Sequence, residues 1–239
     1  PMWSARCSPL PFIGPRRVRP PAIAFDALPR IDAVLLSHNH YDHADLPTLR
    51  RLTRRDAPMM VTGLGVGRWL ERRGMPGALE LDWWDSVALP GGLRATYLPA
   101  RHFSARGVTD RARTLWGGFL VEAPGGRLLF LGDTAMGGHM NEIGAHVGPV
   151  GVALVPIGAY DPGWFMRPVH MNPEEALDAA RILRARASLA MHFGTFKLTL
   201  EPMEDPAARL HAAREAAGLP PAFFRVPGFG ETLLLPLAA

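Results

Sequence analysis

Nine consecutive residues, Ser37-His38-Asn39-His40-Tyr41-Asp42-His43-Ala44-Asp45, constrain this chain more than any other stretch. Three histidines and a carboxylate fall within six residues, directly after the apolar run Ala33-Val34-Leu35-Leu36. Imidazole and carboxylate together suit a borderline divalent ion such as zinc. Alternate residues of an extended segment point the same way, so His38, His40 and Asp42 share one face and His43 turns to the other. One segment can therefore offer ligands to two neighbouring metal positions. The plainer alternative is a polar loop whose histidines only finish a strand.

Three further strand-like runs end in a potential ligand. Tyr97-Leu98-Pro99 leads to His102, Leu129-Phe130-Leu131 to Asp133, and Leu189-Ala190-Met191 to His192. In layered α/β proteins, ligands gather at the carboxyl ends of strands, so four such endings can meet in one place. Together they supply five histidines and two aspartates, more than one tetrahedral zinc needs. The expected assignment gives His38, His40 and His102 to one ion and Asp42, His43 and His192 to the other. Asp133 bridges them. A hydroxide between the two ions is the expected nucleophile, its pKa lowered to roughly 7 by coordination. The cofactors expected are two zinc ions, with manganese or iron as alternatives.

The rest of the chain fits a layered fold. Asp45 reads as an N-cap with Pro47 in the first turn of a helix to about Arg55. Met59–Thr62 reads as a strand and Gly65–Arg73 as a helix stopped by Gly74. Residues 78–99 read as two or three strands with a turn at Pro90-Gly91-Gly92. Leu115–Glu122 and Arg127–Leu131 read as a hairpin around Pro124-Gly125-Gly126. Val152–Pro156 reads as a buried strand. Asn172-Pro173-Glu174-Glu175 is a capping box opening a helix to about Arg186. Then come a strand at Ser188–Met191, a helix over Pro206–Ala217 and a last strand at Thr232–Leu235. Helices and strands mix, and the hairpin makes the sheets mixed, so the expectation is α/β layers in one domain.

Composition removes several classes. Of 239 residues, 48% are hydrophobic and 20% charged, which describes a globular chain with a sizeable core. Lys197 is the sole lysine among 26 basic residues, and the net charge is only +4. Arg16-Arg17-Val18-Arg19 reads as loop, and Arg50 to Arg55 as the solvated face of a helix. No basic run forms a nucleic-acid patch, so nucleic acid is not expected as a partner. Cys7 is the only cysteine, which rules out a disulfide framework. No apolar stretch reaches the ~18 residues of a membrane span, so a cytoplasmic protein is expected. Peripheral membrane contact and a homodimer stay open.

His-x-His-x-Asp-His followed by distant His, Asp and His resembles the metallo-β-lactamase superfamily. The resemblance implies a four-layer αββα sandwich with a dinuclear site at one edge. Asp133 stands where common dinuclear β-lactamases carry Cys, which disfavours that activity. Trp3-Ser4-Ala5-Arg6-Cys7-Ser8-Pro9, Leu98-Pro99-Ala100-Arg101-His102-Phe103-Ser104, Thr114-Leu115-Trp116-Gly117-Gly118-Phe119, Gly158-Ala159-Tyr160-Asp161-Pro162 and Met191-His192-Phe193-Gly194-Thr195-Phe196 are similar, more narrowly, to the N-acyl-phosphatidylethanolamine phospholipase D family. That similarity implies hydrolysis of a phosphodiester in a phospholipid-like substrate, with Asp42 and Asp133 in the catalytic centre. In that family the products are a diacyl phosphatidate and an N-acylethanolamine. The family's first strands fall before Pro1, so residues 1–239 are expected to form one N-terminally truncated domain.

The resemblance also places His170 beside the site, where it would hydrogen-bond substrate or hydroxide. Its alternative is a loop histidine helping to cap the helix at Asn172. Trp164, Phe165 and Met166 read either as an acyl-chain or membrane-facing lip or as packing under a loop. Trp83 and Trp84 read as packing. Arg101, Arg113 and Arg167 read as surface or structural pairs in preference to phosphate ligands. His139, His146 and His211 read as ordinary surface or helix positions. Two other functions remain: a lactonase or other ester hydrolase of the same fold, and a metal-binding sensor or structural protein without turnover.

Overall fold

The computed structural model describes residues 1–238. A first sheet joins β1 (Ala33–Leu36), β2 (Met59–Gly63) and β3 (Leu79–Leu81), all parallel and in that order. The helices α1 (Leu46–Asp56) and α2 (Val66–Glu71) connect them. A second sheet contains β4 (Ser86–Leu89), β5 (Leu93–Leu98), β6 (Gly118–Ala123), β7 (Gly126–Phe130), β8 (Val150–Pro156), β9 (Ala185–Met191) and β10 (Phe224–Arg225). Its spatial order is β10-β9-β8-β7-β6-β5-β4. The strands β4 to β7 pair antiparallel and β7 to β10 parallel. Consequently β5, β7, β8 and β9 all point the same way.

Alternation along the strands sorts the side chains into layers. Val34, Leu36 and Met60 pack outward with Leu49, Leu52, Val66 and Leu70 of α1 and α2. The neighbouring Leu35 and Val61 face the second sheet, where they meet Tyr97 and Phe119. Leu120, Leu129 and Ala153 face the other way, toward α3 (His139–Val147), α5 (Pro173–Ile182) and α6 (Asp205–Ala216). This is the αββα sandwich. Each fully buried Leu, Val or Phe side chain contributes ~1.5–3 kcal/mol, and both sheets bury apolar side chains on each face. No helix of the described residues is long and apolar enough to cross a membrane.

Several boundaries differ from the sequence reading. The strand expected at Leu115 starts at Gly118, and α5 stops at Ile182, short of Arg186. Arg184 adopts φ +51° there, which reverses the chain into β9 at Ala185. Thr232–Leu235 is not a strand; the edge beside β9 is taken by β10, and the chain returns at Leu237, whose carbonyl accepts from Arg127 N–H. The stretch Trp164 to Met166 is a short helix, α4 (Gly163–Met166), and α3 was not expected at all. Asp45 occupies the N-cap position of α1, but its carboxylate makes no capping bond. It accepts instead from Ser4 N–H at 3.2 Å, from Ser4 Oγ at 2.8 Å and from Thr48 Oγ1, tying the N-terminal segment to the histidine loop.

Candidate metal centre

Four strand ends deliver the seven residues. His38 lies two residues past β1, His102 four past β5, Asp133 three past β7 and His192 one past β9. The strand β1 belongs to one sheet and the other three to the second, so the cluster sits where the sheets meet at one edge. Tyr97 crosses between them: its hydroxyl donates to Ser37 O at 2.7 Å, and Gly117 N–H donates to the same carbonyl. The backbone before His38 is thereby fixed from the opposite sheet. Two glycines permit the close approach. Gly132, at φ +64°, precedes Asp133, and a Cβ there would meet Gly117 O at 2.6 Å. A Cβ on Gly158 would meet the carbonyl of His192 at 2.3 Å.

The side chains form two groups that share Asp133: His38, His40 and His102 on one side, and Asp42, His43 and His192 on the other. In the first, His40 Nδ1 lies 2.9 Å from His38 Nε2 and 3.2 Å from His102 Nε2. In the second, Asp133 Oδ2 lies 3.0 Å from His43 Nε2 and 3.2 Å from His192 Nε2. Asp42 Oδ2 lies 3.3 Å from His43 Nε2 and 3.2 Å from His192 Nε2. Outer contacts set the rings. His102 Nδ1 is 2.9 Å from Val169 O, to which it can only donate, so its Nε2 faces the cluster as an acceptor. His38 Nδ1 meets Ser37 Oγ at 3.1 Å.

The two groups differ electrostatically. Burial pushes His38 well below its ordinary value, and neighbouring His43 and His40 push it further. Burial lowers His40 and His102 to about 4, against the pull of Asp42 on the first and Asp133 on the second. In the other group burial also disfavours imidazolium, but Asp133 and Asp42 overcome it. His43 is raised to about 9 and His192 well above its ordinary value. Burial would raise both carboxyls. His43 and His192 reverse that for Asp42 and Asp133, which fall well below the carboxylate range.

This donor set fits divalent ions. In the first group three ring nitrogens converge while burial keeps all three rings neutral. One proton on His40 Nδ1 cannot point at both neighbouring lone pairs, whereas a cation satisfies all three. Asp133 Oδ1 is buried without a hydrogen-bond partner. Each group with the shared carboxylate offers four nitrogen or oxygen atoms, the number a tetrahedral zinc site takes.

The other residues singled out in the sequence fall as follows. His170 is 7% exposed and stacks on His192 with ring centroids 5.4 Å apart. Its Nδ1 has no partner, and burial lowers its pKa to about 3. It does not cap α5: Asn172 and Glu175 complete that capping box themselves. Trp164 is 84% and Phe165 63% exposed, so these two rings are not core packing. Trp83 stacks edge-on against Trp116, and Trp84 packs on His146. Arg101 donates to Met136 O, Arg167 pairs with Glu175, and Arg113 is exposed. His211 is exposed.

Two contributors were missed. His139 is not an ordinary surface position: its Nε2 meets Thr134 Oγ1 at 2.9 Å, and that hydroxyl also accepts from Arg101 N–H. It thus braces the loops that carry Asp133 and His102. Arg17 lines an opening of about 250 Å3 beside Asp42 and His192, with Met2, Phe196 and Leu198 as apolar walls. It donates to Met2 O and Ser4 O, and its backbone bridges to Phe196. Arg17 and Phe196 stand 179 residues apart in the chain, which hid this from local reading.

A family model described as the beta-lactamase superfamily domain matches residues 1–193. An uncharacterised protein of Mycobacterium tuberculosis is 41% identical over 220 residues, covering 90% of this chain and 58% of that protein. An N-acyl-phosphatidylethanolamine-hydrolyzing phospholipase D of Caenorhabditis elegans is 35% identical over 227 residues, covering 90% of this chain and 64% of that enzyme. The chain therefore spans less than two thirds of the length of either relative. Among solved structures, a metallo hydrolase from the archaeon Ignicoccus hospitalis superposes with a TM-score of 0.62 at 28% identity, covering 84% of this chain and 78% of that one.

Proposed function

The chain belongs to the β-lactamase superfamily, and from that premise we propose that it is a metal-dependent hydrolase that cleaves phosphodiesters of phospholipid-like compounds at a dinuclear centre. The carrying observation is Asp133, whose Oδ2 reaches both ligand groups. In this reading His38, His40 and His102 would hold one ion and Asp42, His43 and His192 the other, with Asp133 common to both groups. Two such ions, zinc in the first instance, supply a water acidified to neutral pH and positive charge for the phosphoryl oxygens.

The chain's own residues do the rest. Arg17 stands at the opening beside Asp42 and His192, where its guanidinium can meet the diester anion. Phe196, Leu198 and Met2 give the apolar part of the substrate a wall and keep bulk water back. His170 is neutral and has an unpartnered Nδ1, so it can hydrogen-bond a phosphoryl oxygen without adding charge. Hydrolysis forms a P–O bond from water, breaks the P–O bond to the departing alcohol and moves one proton to that alcohol. The phospholipase D relative supports the phosphodiester class. The carboxylate at Asp133, rather than a thiolate, is consistent with it.

A substrate panel tests this. Metal-loaded protein is expected to hydrolyse bis-p-nitrophenyl phosphate and N-acyl-phosphatidylethanolamine in preference to simple lactones. Cleavage of lactones alone would reject the phosphodiester reading and leave a lactonase.

A further inference from the structure

A second cavity, of about 750 Å3, opens beside the histidine loop, and none of the seven clustered ligands lines it. Four arginines from separate segments do: Arg6 in the N-terminal loop, Arg50 on α1, Arg73 just past α2 and Arg106 beyond His102. Among the described residues, none of the four is ion-paired with a carboxylate; the chain's arginine ion pairs fall elsewhere. Two carboxylates reach the lining, and both are committed. Asp45 accepts from Ser4 and Thr48, and Asp110 accepts from the backbone N–H groups of Arg106 and Gly107. The walls therefore carry two more positive than negative charges.

The guanidinium groups also keep donors to spare. Each has five N–H bonds in a planar fork. Arg106 uses Nη1 on Asn39 O and Ala44 O, and its plane lies over the Tyr41 ring at 3.6 Å. Arg73 uses Nη1 on Trp69 O, and Arg6 uses Nη1 on Gly14 O. Arg50 makes no side-chain hydrogen bond among the described residues. Burial and the charges of Arg50 and Arg72 hold Arg73 below the usual guanidinium range, against the opposing pull of Tyr41. Four positive charges against two carboxylates leave a surplus that disfavours the empty arrangement and favours an anion. The rim is apolar: Leu10 lines it at 46% exposure, and Phe12 follows at 73%.

We propose that this cavity is a separate, metal-independent site for a phosphate ester, with the phosphate among Arg6, Arg50 and Arg73 and the organic part toward Leu10. A phosphate dianion matches the surplus of two charges, and its oxygens match several arginine forks at once. The volume exceeds that of a phosphate alone and lies in the usual range for small organic ligands. The site does not depend on the phosphodiesterase reading, since no metal ligand takes part.

The test is calorimetric titration of the metal-loaded full chain with inorganic phosphate in one arm and dihexanoyl phosphatidate in the other. The same titrations are run on the double variant Arg50→Ala/Arg73→Ala and on Asp133→Asn. Loss of two charge-assisted contacts is expected to weaken binding at least about tenfold in the double variant, with its metal content unchanged. Asp133→Asn is expected to keep the binding that the double variant loses. Tighter binding of the phosphatidate identifies a lipid headgroup as the source of the anion, and equal binding identifies free phosphate; either supports the site. Arg50→Glu, at an exposed position, gives the same comparison if the double variant is unstable. Absence of binding to the unaltered chain overturns the proposal. So does binding lost in Asp133→Asn but kept in the double variant, which would put the anion at the metal centre. Failure to hydrolyse any diester would leave this binding result standing.

Discussion

Around Asp133 the chain builds two half-sites of opposite character. His38, His40 and His102 come from two different sheets, are held by buried walls and stay neutral. Asp42, His43 and His192 are more open to solvent and form, without metal, a network of imidazolium against carboxylate. Burial dominates the first, and charge pairing overcomes burial in the second. An ion entering the first half-site meets three lone pairs. One entering the second must displace protons. The second half is also the one that borders the opening lined by Arg17 and Phe196.

The largest effect is expected at the residue the halves share. Asp133→Asn should lower kcat/KM at least about 10^3-fold, since it removes charge from both positions, while the far-ultraviolet circular dichroism stays unchanged. A loss under tenfold would mean that the halves do not communicate through this carboxylate. Next come the single-half variants. His40→Ala and Asp42→Ala should each reduce bound metal to about one ion per chain by elemental analysis. The Asp42→Ala protein should retain its remaining ion against a chelator better than the His40→Ala protein. Equal retention would erase the distinction.

That much was legible in the sequence because the ligands announce themselves locally. Each follows an apolar run, and the short spacing from His38 to His43 already divides one loop between two positions. The layers were legible for the same reason, from buried strands such as Val152–Pro156 and the Asn172 capping box. What failed to show depends on distant partners. Asp45 has the spacing of a cap, but its carboxylate answers to Ser4, 41 residues earlier. His139 looks like a helix residue, and its role comes from Thr134 outside that helix. The start of β9, Ala185-Arg186-Ala187, has no strand propensity of its own, and pairing with β8 overrides it. Thr232–Leu235 shows the converse, an apolar run that pairs with no strand, the place beside β9 being held by β10.

Outer contacts sharpen the comparison further. Ser37→Ala removes the hydroxyl beside His38 Nδ1 and should weaken metal binding in the first half about 10-fold. The second half should not change. Acidity separates the halves in chelator-stripped protein. Burial keeps His40 and His102 neutral when folded, with values near 4 against 6.5 for a free imidazole. Unfolding therefore takes up protons below that free value, and stability falls as pH drops from 6.5 toward 4. Asp42 and Asp133, depressed when folded, add to the loss in acid. His43 acts in reverse: its value when folded is raised from 6.5 to about 9, so its contribution is full below 6.5 and is lost as pH rises through 9. Thermal melts should peak near neutrality and decline on both sides. A flat alkaline limb would contradict the charge-paired half. The smallest effect belongs to Tyr97→Phe, expected to cost about 1 kcal/mol because Gly117 N–H still satisfies Ser37 O.

The most direct test of the account is metal content. Protein purified without chelators and passed through a desalting column should carry about two divalent ions per chain, measured by inductively coupled plasma mass spectrometry against amino-acid analysis. The Asp133→Asn variant should carry fewer. One ion or none in the unaltered chain would contradict a centre in which Asp133 joins two half-sites.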